Sequence, residues 1–354
     1  MKILITGACG FVGSSIIKVW KEEGLNHEIL GFDNLIRPGS ELNRRLLKQW
    51  GVPLFHGDIR IPSDFETLPA VDWIIDAAAN PSVLAGIDGQ TSSRQTIEHN
   101  LMGTLNMLEF CKVQKVGFIL LSTSRVYSIK SLESLTVKAK NEAFHPKKSS
   151  SWPQGLSLKG INEDFSTRPP LSLYGTSKLA SEALALEYGE IFNFPVFINR
   201  CGVLSGAGQF GRAEQGIFSY WIHAWREKRP LRYIGFNGKG YQVRDCLHPR
   251  DLASLLEKQI RSPKISAPKI LNVSGGLENS MSLAQLSSWC KDRLGENTVK
   301  ADPRNRPFDI PWMVLDSSRA QKAWNWKPQV KIQNILSEIA EFAQANPDWS
   351  QICR

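Results

Sequence analysis

Apolar residues in this chain fall into short, almost unbroken runs separated by longer stretches in which they recur at helical spacing. The runs are KILIT (2–6), HEILGFDNL (27–35), VPLFHGDIR (52–60), VDWIIDAAANPS (71–82), GFILLSTS (117–124) and FPVFINRCGV (194–203). Runs of about four to eight apolar residues predict strands buried on both faces. Such strands alternating with helical segments predict an α/β fold built on a doubly wound parallel sheet. Helical periodicity is also plain in SLAQLSSWCKDRLG (282–295) and IQNILSEIAEFAQ (332–344), and WNWKP (324–328) reads as a tryptophan-rich core edge. The sheet domain is expected over 1–205 with a return at 243–272. A smaller C-terminal domain is expected from 206–242 and 273–354, with substrate between the two.

Composition adds bounds. At 354 residues there is material for one large or two ordinary domains, and 42% hydrophobic with 22% charged residues is globular. The net charge of +9 invites a nucleic-acid reading. Much of that charge sits in 128–160, where six lysines face two glutamates, a stretch that predicts a solvated loop or flap. A polyanionic substrate suits a basic protein equally well. The first strand begins at Lys2, so no secretory signal is expected, and no apolar run approaches the ~18–20 residues of a membrane span. Six cysteines are scattered without CxxC or metal-ligand spacing. A reduced cytoplasmic protein without a metal is expected.

The first strand leads into Gly7-x-x-Gly10-x-x-Gly13, which opens a helix. Glycines so placed allow a tight turn, close approach of a pyrophosphate and close packing of helix on strand. The helix start, from Phe11 and Val12, offers free N–H groups to phosphate. The second strand ends at Asp33, twenty residues beyond Gly13, where an acid binds ribose hydroxyls and repels a 2′-phosphate. NAD is therefore expected as the cofactor. Asp58 and Ile59 end the third strand where adenine is expected. Ala77, Ala78 and Ala79 end the fourth and leave room for a cofactor across it. Tyr174 and Lys178 are four apart in a predicted helix, hence on one face. An ammonium beside a phenol favours the phenolate, and a phenol tuned below about 10 can take a proton from a hydroxyl. Alone, a YxxxK pair is a common chance pattern.

Together these residues resemble the extended short-chain dehydrogenase/reductase family, the NAD-dependent nucleotide-sugar epimerases and dehydratases, whose Rossmann-type fold would span nearly the whole chain. The resemblance implies catalytic roles for Thr123, Tyr174 and Lys178, and cofactor contacts for Ser122, Asn100, Asn34 and Arg37 as well as for Tyr174, Lys178 and the residues above. It implies phosphate contacts for Arg244 in RDCLHPRDLA and for Arg306 in RPFD, a fork that guanidinium makes well; each read singly is also an ordinary surface arginine. Ser82, Val83, Ser124, Arg125, Arg200, Gln209 and Gln215 are expected at the substrate, with Glu214 in the same loop, although a Gly- and Gln-rich loop also serves as a plain connection. Relatives that dehydrate or decarboxylate the sugar carry acids just after the threonine. Here Ser124 and Arg125 stand there, which points to hydride chemistry alone and hence to epimerisation.

GVLSGAGQFGRAEQGIFSYW, GFNGKGYQVRDCLHPRDLA and FDNLIRPGSELN are similar to the CDP-paratose (CDP-tyvelose) 2-epimerase subgroup, so a CDP-sugar inverted at C2 is the favoured expectation. The implied steps are proton removal by Tyr174, hydride transfer to NAD, and return of hydride to the other face. Alternatives are a 4-epimerase or 4-reductase acting on a UDP- or GDP-sugar, or an NAD-binding relative that binds RNA. Neither nucleic acid nor membrane is the expected partner, and a homodimer or homotetramer is. Asp76 departs from the histidine many relatives carry, and Asn80-Pro81 from their Gln-containing turn.

Overall fold

The computed structural model describes residues 1–353 except 88, 90–91, 149–151, 213–214 and 264–265. Seven of the predicted and unpredicted apolar runs pair in one parallel sheet: β1 (Lys2–Thr6), β2 (Glu28–Asp33), β3 (Leu54–His56), β4 (Trp73–Asp76), β5 (Gly117–Thr123), β8 (Val196–Cys201) and β11 (Ile270–Val273). Their order across the sheet is β11-β8-β5-β4-β1-β2-β3, all parallel. The order reverses between β1 and β4, the point at which such sheets open a crevice at their carboxyl ends. Strands buried on both faces need no polar face, which is why they read as unbroken apolar runs.

Helices cover both faces. One layer holds α1 (Phe11–Glu22), whose Ile16, Ile17 and Trp20 meet Leu252, Leu255 and Leu256 of α5 (Pro249–Arg261) in a core shared with Trp324 and Trp326. The other holds α2 (Gly103–Gln114) and α3 (Leu173–Phe192), which pack Met107, Leu108 and Ala185 against Phe118, Leu120 and Ile198.

The 128–160 stretch is not a free flap. Strands β6 (Val137–Lys140) and β7 (Ala143–Pro146) form a hairpin whose turn, Asn141 and Glu142, has both φ angles positive (48° and 57°), the tight form that matches strand twist. Phe144 donates its N–H to the Tyr241 carbonyl at 2.9 Å and packs edge-on against the Tyr241 and Phe236 rings. Ile129, Leu132, Ala143 and Leu156 share a core with Trp312 and Leu315, while all six lysines stay exposed. The apolar residues between the lysines are the signal that the charge count hid.

The smaller lobe is built on a four-stranded sheet of β9 (Val203–Leu204), β10 (Val243–Leu247), β12 (Ser280–Ser282) and β13 (Trp312–Met313). Strand β10, expected to return to the main sheet, pairs here instead, parallel to β9 and β13 and antiparallel to β12. The chain rejoins the main sheet at β11, and α5 with Trp324 and Trp326 packs against that sheet. Helices α4 (Ile217–Arg226), α6 (Leu283–Leu294) and α7 (Ile332–Ala345) enclose the lobe's core of Trp221, Trp225, Leu286, Ile335 and Ile339.

Candidate active site

A cavity of about 370 Å³ lies at the carboxyl ends of the strands, between the two lobes. The β1–α1 turn forms one wall. Gly7 has φ +63°, and a Cβ there would lie 2.9 Å from the Ala78 nitrogen. A Cβ on Gly13 would come within 2.4 Å of the Gly7 carbonyl oxygen, so Gly13 packs beneath the turn rather than lining the cavity. Gly10, Phe11 and Val12 do line it, and α1 has no side-chain cap, which leaves its first N–H groups for an anion.

Asp33 lines the cavity at the end of β2. Its carboxylate accepts the N–H of Cys9 and of Leu35, each at 2.8 Å. Burial pushes its pKa up and these amides pull it back. Asn34 and Arg37 line the same end; Arg37 donates to Gln215 Oε1 at 3.1 Å and to the Phe210 carbonyl at 2.8 Å, tying this end of the cavity to the second lobe. Ile59 lines the wall, but Asp58 does not: its carboxylate is taken by Arg60 at 2.7 Å and Asn34 at 2.9 Å. Burial works against that anion, yet the Arg60 hydrogen bonds hold it well below the carboxylate range.

Ala77, Ala78 and Ala79 line the middle of the cavity with Pro81 and Val83, whereas Ser82 stands outside it. Asn100 also stands behind the wall. It occupies a π-helical turn, Glu98–Met102, ahead of α2, a distortion that often marks functional sites. Its Oδ1 accepts the Asn80 N–H at 2.8 Å, and its Nδ2 donates to the Asn80 carbonyl and to Ser177 Oγ, both at 3.0 Å. Asn100 thus clamps the β4 turn to α3.

Thr123, Ser124, Arg125 and Tyr174 meet at the far end of the cavity, with Ser122 between them and the core. Ser172, at φ +78°, caps α3 by accepting the Gly175 N–H at 3.2 Å and so starts the helix two residues before Tyr174. Tyr174 is half-buried and hydrogen-bonded by Thr123. The expected acidic phenol is not found. Burial pushes it up to about 12, against the Thr123 hydrogen bond and the charge of Arg125. Lys178, 1% exposed, stands behind the wall, and burial lowers its pKa against the charges of Asp76 and Glu182. Asp76 accepts hydrogen bonds from Thr6 at 3.0 Å and Thr104 at 3.2 Å.

Of the expected substrate residues, Gln209 and Gln215 line the cavity; Gln209 donates to the Leu204 carbonyl at 2.6 Å. Glu214 lies outside the described residues. Arg244 and Arg306 do not line the cavity, but their charges act on Arg125, which does. Arg200 is a correction. It is 4% exposed and held by Glu182 at 2.7 Å beneath the wall, so its charge is neutralised inside the core. Sequence reading missed Glu182, which sits at helical spacing one turn past Lys178 and gave that signal. It also missed His99, Cys201 and Gly202 in the wall, which carry no motif.

The model of the NAD dependent epimerase/dehydratase family matches residues 3–274. CDP-paratose 2-epimerase of Salmonella typhi is 28% identical over 98% of this chain and 100% of that relative. UDP-glucuronate 4-epimerase of Thermodesulfobacterium geofontis is 26% identical over 97% of this chain and 96% of the relative. The structure of UDP-glucuronic acid 4-epimerase from Bacillus cereus, solved with UDP-glucuronic acid and NAD, superposes with a TM-score of 0.77 over 98% of this chain and 99% of that one, at 24% identity. With a glycine turn shaped for a pyrophosphate, an acid at the end of β2 and a family match over most of its length, the chain belongs to the NAD dependent epimerase/dehydratase family, and NAD is its cofactor.

Proposed function

We propose that the protein is a redox-neutral nucleotide-sugar epimerase, and that its substrate is a CDP-sugar inverted at C2. The observation that carries the epimerase reading is the make-up of the reacting end of the cavity. Thr123 and Tyr174 are there, and among the described lining residues the only carboxylate is Asp33, at the opposite end. Eliminating water or carbon dioxide from a sugar needs an acid–base pair at neighbouring carbons. Serine and arginine supply none.

The cradle fits NAD: Gly7 and Gly10 would leave room for the pyrophosphate, the first turn of α1 would meet its charge, Asp33 would take the ribose hydroxyls, Ile59 would pack on the adenine, and Ala77–Ala79 would clear the path to Tyr174. Bound there, NAD supplies a hydride acceptor and then a hydride donor at one carbon. The chain's own task is the proton. Tyr174 takes it from the sugar hydroxyl, Thr123 holds the phenol oxygen, and Lys178, buried behind the wall, supplies positive charge that favours the phenolate. Reprotonation from Tyr174 after the sugar presents its other face completes inversion. The likeness to CDP-paratose 2-epimerase supports the choice of base and carbon. Exposed Val113 on α2 and Ile191 on α3 support pairing of two copies through these helices.

A second reading, a UDP-sugar 4-epimerase, is favoured by the likeness to UDP-glucuronate 4-epimerase. The test is incubation with CDP-, UDP-, GDP- and dTDP-sugars carrying deuterium at C2 or at C4, followed by proton NMR. Inversion at C2 with the label retained supports the proposal. Inversion at C4 supports the second reading, and net reduction, elimination or decarboxylation defeats both.

A further inference from the structure

Two arginines line the cavity among the described residues: Arg37 at the adenosine end and Arg125 beside Tyr174. Arg125 is the less accounted for. Its backbone is pinned, since its N–H is donated to Thr123 Oγ1 at 3.2 Å. Its carbonyl oxygen presses on Gly175, where a Cβ would approach to 2.3 Å, so only glycine lets this backbone lie against the first turn of α3. The guanidinium is therefore held next to the Tyr174 side of the cavity. Of its five donors, the described residues engage one, a long 3.4 Å contact with the Phe308 carbonyl. Arg244 reaches the same segment, donating to the Ile310 carbonyl at 2.9 Å and the Val243 carbonyl at 2.8 Å, with Asp309 at 3.4 Å.

A half-buried cation with one weak neutral partner, next to other cations, is costly unless a ligand meets it. Burial and the charges of Arg244 and Arg306 together bring its pKa down to about 10, in the direction that an incoming anion reverses. Asp309 partly offsets the cluster, but it is engaged with Arg244.

We propose that Arg125 is an anion subsite of the substrate pocket, binding a phosphate or carboxylate group of the nucleotide-sugar whose phosphorus or carboxyl carbon lies within three bonds of the carbon served by Tyr174. The proposal rests on the epimerase reading and narrows it. Two sources carry that chemistry. If the group is the sugar-side phosphate, the reacting carbon is next to the anomeric carbon, which is C2. If it is a carboxylate on the sugar, the substrate is a uronate. A neutral sugar with its reacting carbon across the ring from the diphosphate satisfies neither.

The test is calorimetric titration of the NAD-loaded enzyme, as wild type, R125Q and R125K, with CDP, CMP, UDP-glucose and UDP-glucuronate. A charge-assisted guanidinium contact predicts a loss of about ten- to a hundredfold in affinity. Loss of CDP binding by R125Q with CMP unchanged, and partial recovery in R125K, assigns the phosphate. Unchanged CDP binding with the preference for UDP-glucuronate over UDP-glucose erased assigns the carboxylate. All four ligands binding R125Q within twofold of wild type overturns the proposal. If R125Q fails to fold, R125M, which keeps the aliphatic stem, serves the same comparison. A wild type that converts no sugar while R125Q still loses CDP affinity defeats the epimerase reading and leaves the subsite standing.

Discussion

Arg200 of β8 and Glu182 of α3 form a buried ion pair in which the guanidinium meets both carboxylate oxygens, Nη2 to Oε2 at 2.7 Å and Nε to each oxygen at 3.1 Å. The same guanidinium donates to Tyr127 Oη at 3.3 Å, and that hydroxyl donates to Asn272 Oδ1 at 2.6 Å. The network joins α3, β8 and β11 with Tyr127, which follows β5. Removing one partner leaves an uncompensated buried charge. E182Q is expected to lower unfolding free energy by about 3–5 kcal/mol in denaturant titrations, while the double change E182L with R200M recovers much of the loss.

Tyr174 is where proton transfer is expected, and Tyr174→Phe is expected to lower turnover by at least about a hundredfold while NAD remains bound. In the protein without ligand, burial holds the phenol at about 12. A difference titration of wild type against Tyr174→Phe at the phenolate absorbance is therefore expected to find no Tyr174 ionisation below about pH 11 before NAD is added. Ionisation near neutral pH in the cofactor-free protein contradicts this.

Asp76 and Lys178 oppose each other across the buried layer between β4 and α3. The Asp76 charge favours the protonated ammonium, against burial. Asp76→Asn removes that charge and keeps an acceptor oxygen for one of the two threonine hydroxyls, Thr6 or Thr104, its amide nitrogen being a donor to the other. The expected outcome is an alkaline limb of the pH–rate profile displaced to lower pH, with NAD affinity at pH 6 little changed. A merely structural role for Asp76 moves the melting temperature and leaves the profile in place.

His223, on α4 and 3% exposed, packs edge-on against Phe342, and neither ring nitrogen meets a hydrogen-bond partner among the described residues. Burial brings its pKa to about 4, with Arg226 and Arg229 acting in the same direction and Glu227 against it. The folded value lies below the unfolded one near 6.5, so below pH 6.5 the unfolded chain takes up a proton that the folded chain refuses. Stability is expected to fall as pH drops from about 6.5 towards 4, by about 3 kcal/mol from this group in full. His223→Phe is expected to flatten that part of the curve in melts run between pH 7 and pH 4.

By itself the sequence determined what is local. A doubly buried strand must be an apolar run, a pyrophosphate turn must be glycine at fixed spacing, an acid at the end of β2 falls a set distance beyond it, and Tyr174 and Lys178 share a face because a helix turns every 3.6 residues. The absence of an acid after Thr123 was legible in the same way. The tertiary structure alone decided which charges meet. Arg200 looked like a substrate ligand until Glu182 and Tyr127 were seen to enclose it; Val243–Leu247 looked like a main-sheet strand until its partners proved to be Val203–Leu204, Ser280–Ser282 and Trp312–Met313; and the 128–160 lysines masked a hairpin docked on Tyr241. Desolvation, which raises the Tyr174 phenol and lowers Lys178, arises from packing among residues far apart in the chain, and no spacing between neighbours encodes it.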